Sequence, residues 1–174
     1  PTGLAMTPAW TATPDQDGAQ FGDAVATAGD VNRDGYSDLL DGAIGYDNGQ
    51  DFEGRVFLYL GSATGLGSSA AWTAESNQAS SWFGHSVATA GDVNGDGYSD
   101  VVVGASGYDV AAASDNQGQV FVYLGSPTGL ATTADWTASP NQADAQFGDS
   151  VATAGDVNRG GYSDLLVGAI GYDN

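Results

Sequence analysis

The chain has no cysteine, no lysine and a single histidine among its 174 residues. Without thiols it carries no disulfide and no thiolate metal site, and cysteine usage says nothing of its redox compartment. With three basic residues in all, it cannot build the cationic surface on which phosphate recognition rests, which excludes nucleic acid as a partner. No apolar run approaches the ~20 residues of a membrane-spanning helix, so insertion by a helix is excluded as well. Catalysis is poorly served: one histidine, no thiol and no Gly-x-Ser-x-Gly elbow leave little for acid–base or nucleophilic chemistry. The chain opens at Pro1 with no methionine or signal-like segment, and is expected to be a processed product or a fragment.

What is present in excess is aspartate. The 22 acidic residues, 20 of them Asp, give a formal net charge of −19. Such a surplus opposes compaction by self-repulsion unless salt screens it or cations neutralise it. A solubilising acidic surface is the other use of such charge. The 41% hydrophobic content is enough for a packed core.

The sequence repeats. Phe21-Gly-Asp-Ala-Val-Ala-Thr-Ala-Gly-Asp30 returns at Phe83–Asp92 and Phe147–Asp156, at spacings of 62 and 64 residues. The two extra residues fall in one loop, between Gly107 and Gly118, as a repeated structural unit tolerates. Pro1–Leu4 matches Ala63–Leu66 and Pro127–Leu130, and Asn174 matches Asn48. The units are therefore 1–62, 63–126 and an incomplete 127–174, the last lacking a counterpart of Gly54–Ser62.

Each unit reads as four short strands separated by Gly, Asn and Asp. Gln119–Leu124 and Asp100–Ala105 are apolar on both faces, which predicts strands buried on both sides between stacked sheets. Ser86–Ala90 uses small residues, as a strand crowded near a central axis would. A fourth strand is predicted near Ala71–Ala74, with its tryptophan recurring at Trp10, Trp72 and Trp136. Four strands per repeat describe a propeller blade: the fold class is all-β, a partial β-propeller of four-stranded antiparallel blades, about two and three-quarter blades in this chain. The Trp, Phe and Tyr columns read as core between blades.

One loop carries chemistry. Asp30-Val-Asn-Arg-Asp-Gly-Tyr-Ser-Asp38 recurs as Asp92-Val-Asn-Gly-Asp-Gly-Tyr-Ser-Asp100. Oxygen-bearing side chains stand at positions 1, 3, 5 and 9 (Asp30, Asn32, Asp34, Asp38; Asp92, Asn94, Asp96, Asp100). Glycine at position 6 allows a sharp turn, and Tyr36 or Tyr98 can offer a backbone carbonyl. Hard oxygens at this spacing suit Ca²⁺, which takes 6–8 of them in flexible geometry, better than Mg²⁺. An Asx-rich turn is the plainer reading of one copy. The third copy has Gly160 where the others have Asp34 and Asp96, so Asp156, Asn158, Tyr162 and Asp164 are expected to form a weak or empty site. Asp41, with Val103 and Val167 in its column, reads as a costly local substitution, not an added ligand. His85, in the column of Asp23 and Asp149, reads as a surface variant.

Phe-Gly at 21, 83 and 147, the Asp-x-Asn-x-Asp-Gly loops and Gly-Ala at 42, 104 and 168 resemble the FG-GAP repeats of integrin α-subunit propellers and of many bacterial surface proteins. The proline expected after Gly-Ala is replaced by Ile44, Ser106 and Ile170. The resemblance implies a propeller, commonly of seven blades, with calcium in the loops and a role in adhesion or recognition outside the cell. It carries ligation onto Asp30, Asn32, Asp34, Tyr36 and Asp38, and onto Asp92, Asn94, Asp96, Tyr98 and Asp100. Fewer than three blades do not close a ring, so further blades are needed in cis or trans, from a longer chain, copies of this one or other subunits.

The function expected is a calcium-binding, non-catalytic structural or interaction module, extracellular or at the cell surface, with a protein partner or a larger assembly. Calcium sites of extracellular modules bind at roughly 10⁻⁴–10⁻³ M, matched to calcium outside cells. A lectin propeller, with a glycan as partner, is the alternative, although nothing in the sequence identifies a sugar pocket. A non-catalytic part of a polysaccharide-acting enzyme is a second.

Overall fold

The computed structural model describes residues 6–110 and 115–173; the Pro1–Leu4 and Asn174 correspondences and part of the 107–118 loop lie outside them. The described residues are all β, with no helix. The strands are β1 (Phe21–Gly29), β2 (Asp38–Ala43), β3 (Arg55–Tyr59), β4 (Trp72–Glu75), β5 (Phe83–Gly91), β6 (Asp100–Ala105), β7 (Gln119–Tyr123), β8 (Trp136–Ala138), β9 (Phe147–Gly155) and β10 (Asp164–Ala169). They form antiparallel sheets in the orders β1-β2-β3-β4 and β5-β6-β7-β8 and a two-stranded β9-β10. The three do not close into a ring. This is a partial β-propeller.

Side chains alternate across each strand, so a strand between two sheets feeds two cores. β6 does this: Val101, Val103 and Ala105 join Val56, Leu58 and Phe83 between the first and second sheets. Val102, with Val120 and Val122, faces Leu165 and Val167 of the third. Every residue of β6 is buried. The tryptophans act across the seams: Trp72 packs edge-on against Tyr123, with ring centroids 4.9 Å apart, and donates to the Ala131 carbonyl at 2.8 Å. Trp10 repeats both contacts with Tyr59 and Gly67.

Phe-Gly and Gly-Ala are explained together. A Cβ on Gly42 would fall onto the Gly84 carbonyl oxygen, and one on Gly104 onto that of Gly148. The next-to-last residue of β2 or β6 is where the Phe-Gly backbone of the next sheet crosses, and no side chain fits between. The small-residue strands β1, β5 and β9 thus lie side by side as the inner strands, each longer than the five residues Ser86–Ala90 read from sequence.

The sheets are offset from the sequence units. Strands β4 and β8 complete the first and second sheets, yet lie beyond residues 62 and 126. The first and second blades therefore take their outermost strands from the following unit.

Candidate functional site: the aspartate loops

The β1–β2, β5–β6 and β9–β10 connections carry the aspartate motifs. In the first, Asp34 N–H donates to Asp30 Oδ1 (3.0 Å) and to Asn32 Oδ1 (3.1 Å), and Gly35 N–H donates to Asp30 Oδ2 (2.8 Å). Two acceptors sharing one N–H have their oxygens drawn together. Tyr36 N–H donates to Asp34 Oδ1 (3.0 Å), and Asn32 Nδ2 to Asp34 Oδ2 (3.0 Å). The second loop repeats this frame on Asp92, Asn94 and Asp96, with Asp96 N–H shared between Asp92 Oδ1 (3.1 Å) and Asn94 Oδ1 (3.0 Å). Glycine at position 6 is required, since Gly35 and Gly97 have φ of 93° and 88°.

Position 9 behaves differently. Asp38 and Asp100 are 2% and 0% exposed. Asp38 accepts from Val31 N–H and Gly61 N–H, both at 2.9 Å. Asp100 accepts from Val93 N–H (2.7 Å) and Gly125 N–H (2.9 Å). These carboxylates pin the loop to the connection that follows β3 or β7. Burial holds both above the usual carboxylate range, the amide hydrogen bonds pull the other way, and the negative loop neighbours Asp34 and Asp30, or Asp96 and Asp92, raise them further.

The third loop keeps part of the frame. Asp156 accepts from Gly160 N–H (2.9 Å) and Gly161 N–H (2.8 Å), and Asp164 from Val157 N–H (2.9 Å). A Cβ on Gly160 would meet Asn158 Oδ1, so an aspartate there requires Asn158 to turn. The bonds that Asp34 and Asp96 make to Asn32, Asn94, Tyr36 and Tyr98 have no counterpart.

The donor chemistry of the first two loops fits a hard cation, being oxygen throughout. Among the described residues, however, no three acidic or imidazole side chains are gathered closely enough to hold a metal ion. The carboxylates are instead directed at backbone amides.

Sequence reasoning missed the serine at position 8. Asp30 N–H donates to Ser99 Oγ (3.1 Å) and accepts at its carbonyl from Ser99 N–H (3.1 Å). Ser163 does the same for Asp92, at 3.2 and 2.8 Å. Each loop is stapled to the next across the seam. The signal was available, for Ser37, Ser99 and Ser163 recur in all three copies. Arg33 adds a stacking contact over Tyr98, 5.9 Å from the ring centre.

His85 is not a simple surface residue. Its ring lies between Asp149 Oδ1, 3.4 Å from Nε2, and Asp23 Oδ2, 3.9 Å from Nδ1. Because the inner strands lie side by side, one sequence column becomes a row of neighbours. Asp41 lies outside the loops: 5% exposed, it accepts from Gly22 N–H at 2.9 Å, and burial pushes its carboxyl up to about 6.

An unclosed propeller with an aspartate loop between the first two strands of each sheet defines a class. The FG-GAP repeat family matches residues 83–123, a segment running from Phe83 through β7. Integrin alpha-V of Gallus gallus is 35% identical over 184 aligned positions, covering 98% of this chain and 17% of that protein. Integrin alpha-IIb of Mus musculus is 36% identical, covering 90% and 15%, and integrin alpha-8 of the same species 34%, covering 91% and 15%. The chain is an integrin-like FG-GAP repeat domain. It spans about a sixth of the length of these relatives.

Proposed function

We propose that this domain is a calcium-binding, non-catalytic adhesion or interaction module that works outside the cell as part of a larger assembly. In this reading residues 1–62, 63–126 and 127–174 are its three FG-GAP repeats. The observation that carries it is the oxygen-rich loop frame, made twice in register with the fold repeat and reduced in the third copy. Asp30, Asn32, Asp34 and Asp38, with the Tyr36 carbonyl, would hold one Ca²⁺; Asp92, Asn94, Asp96 and Asp100, with the Tyr98 carbonyl, would hold another. Bound calcium would supply the positive charge that two or three carboxylates per loop call for, and would stiffen loops already stapled to one another. Asp156, Asn158, Asp164 and the Tyr162 carbonyl form the weaker third set.

Extracellular placement follows from the expected affinity, since sites of roughly 10⁻⁴–10⁻³ M fill only where calcium is abundant. It also agrees with the integrin names of the relatives. A non-catalytic role is supported by the repetition of the carboxylates, because an active site is normally single.

Calorimetric titration of the chain with calcium tests this reading. Two ions should bind, with Asp34→Ala and Asp96→Ala each abolishing one, and Gly160→Asp should add a third. No heat of binding, or binding indifferent to both alanine substitutions, would refute it.

A further inference from the structure

Asparagine followed by glycine occurs twice, at Asn48-Gly49 and at Asn94-Gly95. The pair is chemically labile: glycine has no side chain to obstruct its own backbone nitrogen, which can attack the Cγ of the asparagine before it. Whether that reaction proceeds depends on how the fold holds the two groups. The two pairs are held differently.

Asn94 is clamped. Its Nδ2 donates to Asp96 Oδ2 (2.8 Å), its Oδ1 accepts from Asp96 N–H (3.0 Å), and the Gly95 N–H donates to Asp92 Oδ1 (2.7 Å). Tyr162 lies against the pair, its Cε1 2.9 Å from where a Cβ of Gly95 would stand. Turning Asn94 Cγ toward the Gly95 nitrogen therefore breaks three hydrogen bonds in a crowded place.

Asn48 is exposed, in the connection between β2 and β3. Its Nδ2 donates to Glu75 Oε1 (2.7 Å), and among the described residues neither its Oδ1 nor the Gly49 N–H has a protein partner. Gly49 has φ of 115° and no atom within 4 Å of where a Cβ would stand, which leaves room for a ring to close. One hydrogen bond opposes the reaction here.

We propose that Asn48 is a site of spontaneous covalent modification, deamidation and isomerisation through Gly49, and that the second aspartate loop protects Asn94 from the same reaction. The Gly49 nitrogen gives up its proton to water and bonds to Asn48 Cγ, the Cγ–Nδ2 bond breaks, and Nδ2 leaves as ammonia. Water then opens the succinimide at either carbonyl, giving aspartate or isoaspartate at position 48. Water is the only co-reactant, and nothing is oxidised or reduced. The product loses the bond to Glu75, the last residue of β4, and sets one carboxylate against another in its place. The β2–β3 connection is thereby released from the outermost strand of its own blade.

The test is incubation of the whole chain at pH 8, sampled over days, cleaved after its aromatic residues and read by mass spectrometry. Cleavage gives Asp47–Phe52 and Gly84–Tyr98, each with one Asn-Gly pair. Calcium-free buffer leaves the hydrogen bonds as the protection of Asn94, so the result does not depend on the calcium reading. Conversion at Asn48 should outpace that at Asn94 by at least about tenfold, the worth of the two additional hydrogen bonds broken there. In urea, with the clamp gone, the two rates should converge. Asn48→Gln, which keeps the amide but lengthens its arm, should hold the mass of the first peptide constant over the same days. Asn48→Asp, which makes one product directly, should melt below the parent. No conversion at Asn48, equal conversion at both sites in the folded chain, or the same disparity in urea would overturn the proposal; Asn48→Asp melting with the parent would overturn the release from β4.

Discussion

Asp41 is the residue at which this domain departs most from its own repeat. Its column holds Val103 and Val167, and burial keeps its carboxyl protonated up to about pH 6. The folded state therefore binds this proton more tightly than the unfolded chain. The contribution is fully present below the ordinary value of 3.8 and is lost as the pH rises through about 6. A displacement of that size corresponds to roughly 3 kcal/mol at neutral pH. Asp41→Val would remove this cost but leave Gly22 N–H unpaired, itself worth about 1–3 kcal/mol. Asp41→Asn keeps the acceptor and removes the titration. Urea unfolding should find Asp41→Asn more stable than the parent by about 2–3 kcal/mol at pH 7.5, with the two converging below pH 4. Equal stability across that range would contradict the assignment. Glu53 is a milder case: fully buried, it is also held above the usual range by desolvation and stands where the next repeat has the neutral Gln117.

At the scale of elements, the strands were largely legible in the sequence and their grouping was not. Asp100–Ala105 emerges as β6 with the bounds its apolar run predicts, because burial on both faces leaves a strand no other composition. The shortest strands, β4 and β8, are marked by little beyond Trp72 and Trp136. Their membership of the preceding sheet is set by pairing with β3 and β7, which similarity between repeats does not encode. The loops divide in the same way. Positions 1, 3 and 5 are joined by hydrogen bonds within the loop, whereas the buried position 9 also ties the loop to the connection after the third strand, and the position 8 serine acts on a different repeat. A contact between units is invisible to reasoning within one unit. Ser99→Ala and Ser163→Ala should each cost about 0.5–1.5 kcal/mol in thermal unfolding, the worth of one hydrogen bond. Ser37→Ala, whose hydroxyl has no partner among the described residues, should cost close to nothing. Equal effects at all three positions would mean that the stapling contributes nothing.

At the scale of the molecule, blades are held in register by backbone crossing backbone at Gly42 and Gly84, and again at Gly104 and Gly148, with tryptophan bridging the outer strands. The acidic loops are the opposing element: carboxylates concentrated at the β1–β2 and β5–β6 turns, with a net charge of −19 over the chain. In the proposed account calcium resolves that opposition, since an ion that binds only the folded loops stabilises the fold by mass action. The most direct measurement is thermal unfolding of the chain in excess calcium and in chelator, at fixed ionic strength so that screening of the charge is held constant. The account predicts a higher melting temperature in calcium, with part of the gain removed by Asp34→Ala, part by Asp96→Ala, and nearly all by the two together. Superimposable curves in calcium and chelator would contradict it, leaving the loops as hydrogen-bonded turns and the charge as a device for solubility.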